Sequence, residues 1–281
     1  MGGSPSSEPS EPEPEPEPFL PNPWREVEFS DDAYMKLQEE IKNHQPHPKA
    51  STTNILILGN VGSGKSSFLN SVCSELRREE LNGRVQNIQA VRPGAQTSVT
   101  QHLRSHTMEP FNDKIKIFDT AGFELGKTVN ASIILKKIID GEVAEGSKFD
   151  DILKSKMEGD KIHCVVLVIS IYNAENLDPA LIQFYEQVIG MLTETGVPCQ
   201  LLVTFIDKLV EKTEDLKDLY RRRDIKQKIE MLAKKMRFSM SNVLVVSNYF
   251  EEMKINQIKG TLLLEAVAQM LTAAKPFQER M

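Results

Sequence analysis

Across residues 51–276, short apolar runs alternate with longer stretches whose apolar positions recur every three or four residues. Residues 53–58, TNILIL, form an apolar, β-rich run that stops at Gly59. Residues 162–169, 200–205 and 243–246 are also unbroken apolar runs, the pattern of strands buried on both faces. Residues 114–118 alternate polar and apolar, and 102–108 is strand-like. Helical spacing fills the intervals 66–80, 129–140, 178–195, 212–236 and 261–274. The first of these places Phe68, Leu69, Val72, Cys73 and Leu76 on one side. Strand–helix alternation with fully apolar strands predicts a three-layer α/β domain, a mostly parallel central sheet flanked by helices.

Composition divides the rest of the chain. Residues 1–18 are Pro, Glu and Ser, cannot bury apolar surface, and are expected to be a disordered tail. Residues 19–50 read as an N-terminal arm, ordered from about Phe19, with a helix at about 31–43. Trp24 is expected to dock that arm on the domain formed by residues 51–276. The 281 residues are 40% hydrophobic and 26% charged, ordinary for a globular protein. A net charge of −6 argues against non-specific nucleic-acid binding. The three cysteines, Cys73, Cys164 and Cys199, are scattered and fit a reducing compartment rather than a disulfide framework. No run approaches 18 apolar residues, so no membrane span is expected. Gly2 with Ser6 fits the loose myristoylation pattern, but one acyl chain on an acidic tail gives no stable membrane anchor.

The chemistry begins where the first strand ends. Gly59-Asn60-Val61-Gly62-Ser63-Gly64-Lys65-Ser66 is a phosphate-binding P-loop pattern, continued by Ser67. Its glycines let backbone amides approach phosphates, and the helix N-terminus behind them favours anions. Lys65 is expected on the β- and γ-phosphates and the Ser66 hydroxyl on Mg2+. Asp119-Thr120-Ala121-Gly122 follows the strand at 114–118. Asp119 is the second metal candidate, and the Gly122 amide is placed to sense the γ-phosphate. A switch threonine on the metal is sought between these motifs: Thr100 precedes a strand, and Thr97 is the alternative.

Thr204-Phe205-Ile206-Asp207 ends the strand at 200–205. GTPases carry Asn or Thr, then Lys, any residue and Asp here. The carboxylate accepts hydrogen bonds from guanine donors that adenine lacks, so Asp207 favours GTP over ATP. Phe205 stands where Lys is usual, either stacking on the base or facing the core, and Lys208 is the candidate substitute. Ser247, after the strand at 243–246, is the remaining guanine-loop candidate. Phe123 follows Gly122 where many small GTPases carry a water-orienting Gln. Hydrolysis is therefore expected to be slow or to need a group from a partner.

With these motifs in order, the chain resembles the interferon-induced protein 44-like family, particularly its fish members. The resemblance rests on Pro23-Trp24-Arg25-Glu26, the stretch 57–72 around the P-loop, the segment 141–149 and Val245-Val246-Ser247-Asn248-Tyr249. Neighbouring immunity-associated GTPases are similar around Ser98-Val99-Thr100. The resemblance implies an interferon-induced, cytoplasmic GTPase-like domain tied to innate, antiviral responses. Three functions stand open: a GTP/GDP switch using Mg2+, a catalytically weak pseudo-GTPase acting as a protein-interaction scaffold, and, disfavoured by Asp207, an ATP-binding protein. Protein partners are expected, a homodimer through the switch face being one arrangement.

Overall fold

The computed structural model describes residues 17–85, 103–108, 112–120, 130–144, 146–147, 152 and 159–281. Thr97, Thr100, Gly122 and Phe123, with most of the acidic tail, lie outside the described residues.

Six strands form one sheet: β1 (Thr53–Leu58), β2 (Arg104–Met108), β3 (Asn112–Asp119), β4 (Cys164–Ser170), β5 (Cys199–Thr204) and β6 (Val243–Val245), in the order β2-β3-β1-β4-β5-β6. All neighbours pair in parallel except the edge strand β2, which runs antiparallel to β3. The helices are α1 (Asp31–Lys42), α2 (Lys65–Leu76), α3 (Ala131–Ile139), α4 (Pro179–Thr195), α5 (Arg223–Lys235) and α6 (Gln257–Arg280).

The unbroken apolar strands are explained by two cores. In β4, Cys164, Val166 and Val168 face the core covered by α1, α2 and α6, while Val165, Leu167 and Ile169 face the one covered by α3, α4 and α5. β1 divides likewise, Ile55 and Ile57 against Leu56 and Leu58. Each side chain in the run is needed because both faces are dry. α2 follows β1 on one face and α3 follows β3 on the other, so the direction of winding changes beside β1. Ligands of open α/β sheets bind at the carboxyl ends of the strands at such a point.

Two elements differ from their sequence pattern. The helix expected over 212–236 is divided into a 3₁₀ segment, Thr213–Arg221, and α5. Arg222 between them is extended (φ −68°, ψ 118°). Its neighbourhood pairs with the N-terminal arm: Leu20 N–H donates to Arg221 O at 2.7 Å, Trp24 N–H to Tyr220 O at 2.9 Å, and Arg223 N–H to Pro18 O at 3.0 Å. The charge run Tyr220-Arg221-Arg222-Arg223-Asp224, whose sequence alone suggests a solvated helix face, is instead where the arm docks. The Trp24 ring meets Tyr220 edge-on at 4.8 Å.

α6 also passes the expected end at 274 and carries Pro276 inside it. Its last turn is held from outside. Phe277 packs 6.3 Å from the His163 ring, and Gln278 Nε2 donates to Thr52 O and Thr53 Oγ1, each at 3.2 Å. His163 is thus a packed core histidine, and burial lowers its pKa to about 4. All three cysteines are free. Among the described residues no helix is long and apolar enough to cross a membrane.

Candidate nucleotide-binding site

Strand β1 runs directly into the glycine-rich loop. A Cβ on Gly59 would lie 2.5 Å from the Val168 carbonyl oxygen, so only glycine lets the loop leave the sheet this close to β4. Gly62 and Gly64 take φ of 79° and 90°, a left-handed backbone that L side chains rarely adopt. Gly64 is the N-cap of α2 and offers no side-chain cap. The first-turn amides therefore face the loop, as an anion site requires.

Lys65 is 8% exposed, and its ammonium donates to the Gly59 and Asn60 carbonyls at 2.6 and 3.0 Å. Burial lowers its pKa from the ordinary lysine value, and the negative charge of Asp119 opposes that shift. Asp119 is buried at the end of β3, in register with Ile57 of β1, which brings its carboxylate to the loop. Ser66 lies in the first turn of α2. The Ser66 hydroxyl and the Asp119 carboxylate are hard oxygen donors, and with the glycine cradle they fit Mg2+.

Two neighbouring strands fasten the loop. The fully buried Thr204, last residue of β5, donates its hydroxyl to Ser63 O at 2.7 Å and lies 3.4 Å from Ile169 O. Its side chain is directed at the P-loop. Beyond β6, Asn248 Nδ2 donates to Gly64 O at 3.1 Å. Among the described residues its amide oxygen, although buried, has no hydrogen-bond partner.

Asp207 projects from the short 3₁₀ turn after β5. Ser247 Oγ donates to its Oδ1 at 2.9 Å, and Lys208 Nζ lies 3.9 Å from Oδ2. The structure therefore brings Asp207, Lys208 and Ser247 together at the same end of the sheet as the P-loop. Phe205 is half-buried with φ 61°, and its Cε2 would lie 3.3 Å from a Cβ on Gly64. Its ring neighbour is Tyr172, 61% exposed, with ring centroids 5.9 Å apart. Val61 is exposed on the P-loop itself.

A model of the 50S ribosome-binding GTPase family matches residues 54–235. The chain belongs to this GTPase family. Interferon-induced protein 44 of Mus musculus is 26% identical over 261 residues, covering 88% of this chain and 60% of that protein. Interferon-induced protein 44-like of Homo sapiens is 27% identical over 261 residues, covering 87% and 56%. The resemblance carried by the motifs thus extends over most of the chain, and the chain spans less than two thirds of the length of these relatives. Among solved structures it is similar to Toc33 from Arabidopsis thaliana in complex with Mg2+ and GMPPNP, with 16% identity, a TM-score of 0.49, and coverage of 86% and 91%.

Within this GTPase-family chain the matched region includes the P-loop, Asp119 and Asp207, while Ser247 and Asn248 lie beyond it. Asn248 was visible in the sequence as part of the motif 245–249 but was given no role in the site. Sequence reasoning passed over a buried network behind the site. Glu75 of α2 is fully buried and accepts from the hydroxyls of Tyr34 in α1 and Tyr249 after β6. Burial raises its pKa from 4.5 to about 7 against the lowering effect of both hydrogen bonds. Tyr249 N–H donates to Ser71 Oγ at 2.8 Å, joining the loop after β6 to α2. A Cβ on Gly260 of α6 would lie 2.6 Å from Glu75 Oε1.

Proposed function

We propose that this chain binds GTP and GDP with Mg2+ and hydrolyses GTP slowly or with help from a partner. The observation that carries the reading is the double fastening of the P-loop. Thr204 from β5 and Asn248 from beyond β6 both bond its backbone, and they lie close in the chain to Asp207 and next to Ser247 respectively. Phosphate cradle and base-reading carboxylate are thereby parts of one rigid unit. In this reading Gly59 to Ser67 wrap the phosphates and Lys65 neutralises them. Ser66 and Asp119, with Thr100 or Thr97, hold the metal, and Gly122 senses the γ-phosphate. The bound metal supplies charge neutralisation on the phosphates. Asp207 reads guanine, with Thr204, Lys208 and Ser247 at its side.

The names of the relatives support an interferon-induced role; an innate, antiviral setting in the cytoplasm, with protein partners that include a homodimer through the switch face, belongs to the same proposal. A second reading, a catalytically weak pseudo-GTPase serving as an interaction scaffold, is favoured by Phe123 and Phe205 at two positions where polar residues are usual. The test is titration with a fluorescent GTP analogue and Mg2+. Wild-type protein is expected to bind, Lys65→Ala to lose binding, and GTP to compete far better than ATP. Equal competition by ATP and GTP would overturn the guanine assignment. Rapid turnover without a partner would overturn the slow-hydrolysis assignment.

A further inference from the structure

The residue at 205 is decisive because of what it cannot do. A lysine there would reach the P-loop with a charged tip, whereas a phenyl ring has no hydrogen bond to give. In this chain the tie to the loop comes from elsewhere: Thr204 Oγ1 bonds Ser63 O at 2.7 Å, and Asn248 Nδ2 bonds Gly64 O at 3.1 Å. The ring is thereby released from a fastening role. It is nonetheless held in place. Phe205 keeps a left-handed backbone (φ 61°), caps the 3₁₀ turn that carries Asp207, and lays one edge against Gly64. Tyr172 packs against the Phe205 ring, with ring centroids 5.9 Å apart and an interplanar angle of 47°. That tyrosine is itself positioned by its N–H, which donates to Ser170 Oγ at 3.3 Å. An aromatic pair, half-buried at Phe205 and open at Tyr172, thus lies beside the phosphate loop, and Asp207 follows Phe205 by two residues on the turn that Phe205 caps.

We propose that Phe205, braced by Tyr172, is the face on which the purine ring stacks, so that base affinity comes from aromatic stacking and guanine selectivity rests on Asp207. Flat π-faces of this kind attract every nucleobase, because stacking does not depend on edge hydrogen bonds. The pair therefore raises affinity for purines generally, and Asp207 rejects those that lack guanine's donors. Phe205 contacts the ligand, and Tyr172 is a positioning residue acting through it.

This inference rests on the nucleotide-binding reading, and the experiment separates the two. The full chain with Mg2+ is titrated with GTP and with ribose 5-triphosphate, which has the phosphates but no base. Phe205→Ala is expected to weaken GTP roughly ten-fold and to leave ribose 5-triphosphate unchanged. Tyr172→Ala is expected to act in the same direction by a smaller factor. Phe205→Trp is expected to retain GTP affinity and to gain a fluorescence signal that GTP quenches and ribose 5-triphosphate does not. Natural tryptophan emission comes from Trp24 alone, so the wild type supplies the blank. Equal weakening of both ligands by Phe205→Ala would mean that the ring merely supports the P-loop, and would overturn the proposal. So would an unchanged GTP affinity. Wild-type protein that binds neither ligand would instead overturn the nucleotide-binding reading itself.

Discussion

The hydroxyl of Thr204 donates to the carbonyl of Ser63 at 2.7 Å, joining the end of β5 to the middle of the P-loop. Both groups are buried, so the bond is made where water cannot replace it. Thr204→Val keeps the shape and removes the donor, leaving a buried carbonyl short of its partner at a cost of about 1–3 kcal/mol. GTP affinity is expected to fall by roughly ten-fold with some loss of thermal stability, and Thr204→Ser is expected to recover most of both. Calorimetric titration beside thermal unfolding checks the pair.

The metal donors give a separate expectation. Asp119→Asn removes one negative charge beside Lys65 and weakens the oxygen set for a hard cation. GTP binding in this variant should respond much less to added Mg2+ than in the wild type. A Mg2+ titration at fixed nucleotide reads this directly, and an unaltered Mg2+ midpoint would remove Asp119 from the metal site.

Glu75 predicts a pH dependence of stability. Its pKa is raised by burial from 4.5 to about 7. Below about pH 4.5 the carboxyl is protonated in both folded and unfolded chains. As pH rises, the unfolded chain releases the proton first, so the folded state loses stability until the folded pKa is passed. The full change is roughly 3 kcal/mol. Glu75→Gln keeps an acceptor for Tyr34 or Tyr249 and carries no titrating group. Relative to wild type it is expected to gain stability between pH 4.5 and 8, measured by denaturant unfolding at a series of pH values. A difference that stays constant with pH would exclude Glu75 as the titrating group.

The arm offers a fourth check. Trp24 packs on Tyr220, and Arg25 donates to Met240 O at 2.9 Å. Trp24→Ala removes a large aromatic contact and is expected to cost about 2–3 kcal/mol. Limited proteolysis should then cut near residues 17–24 well before the sheet is attacked.

What could be read from the sequence, and what could not, divides by the range of the interactions. β1 and the P-loop were legible because a local run, Thr53–Leu58, ends in a motif whose glycines answer local backbone demands. The two-sided sheet was legible because β4 is apolar from Cys164 to Ile169. The division of the 212–236 helix was not, because its cause is pairing of Arg221 with Leu20, two hundred residues away. The extension of α6 past Pro276 was hidden for the same reason, since Gln278 and Phe277 are held by β1 and His163. In the site, Asp207 and Lys65 announced themselves by spacing. Asn248 did not, because an asparagine in a loop reads as an ordinary turn until its amide is found on Gly64 O.

Glu75 and Gly260 leave a mark that extends beyond any one molecule. The carboxyl of Glu75 fills the space that a methyl group on Gly260 would need. Glycine inside a helix is disfavoured by about 1 kcal/mol relative to alanine, yet α6 has no use for alanine there while Glu75 remains. In a lineage descended from this gene, a side chain at position 260 requires the carboxyl at position 75 to be lost or to leave its place between Tyr34 and Tyr249. The two sites, on separate helices, are therefore inherited as a single constraint, and their substitutions should appear together along the branches of the family tree.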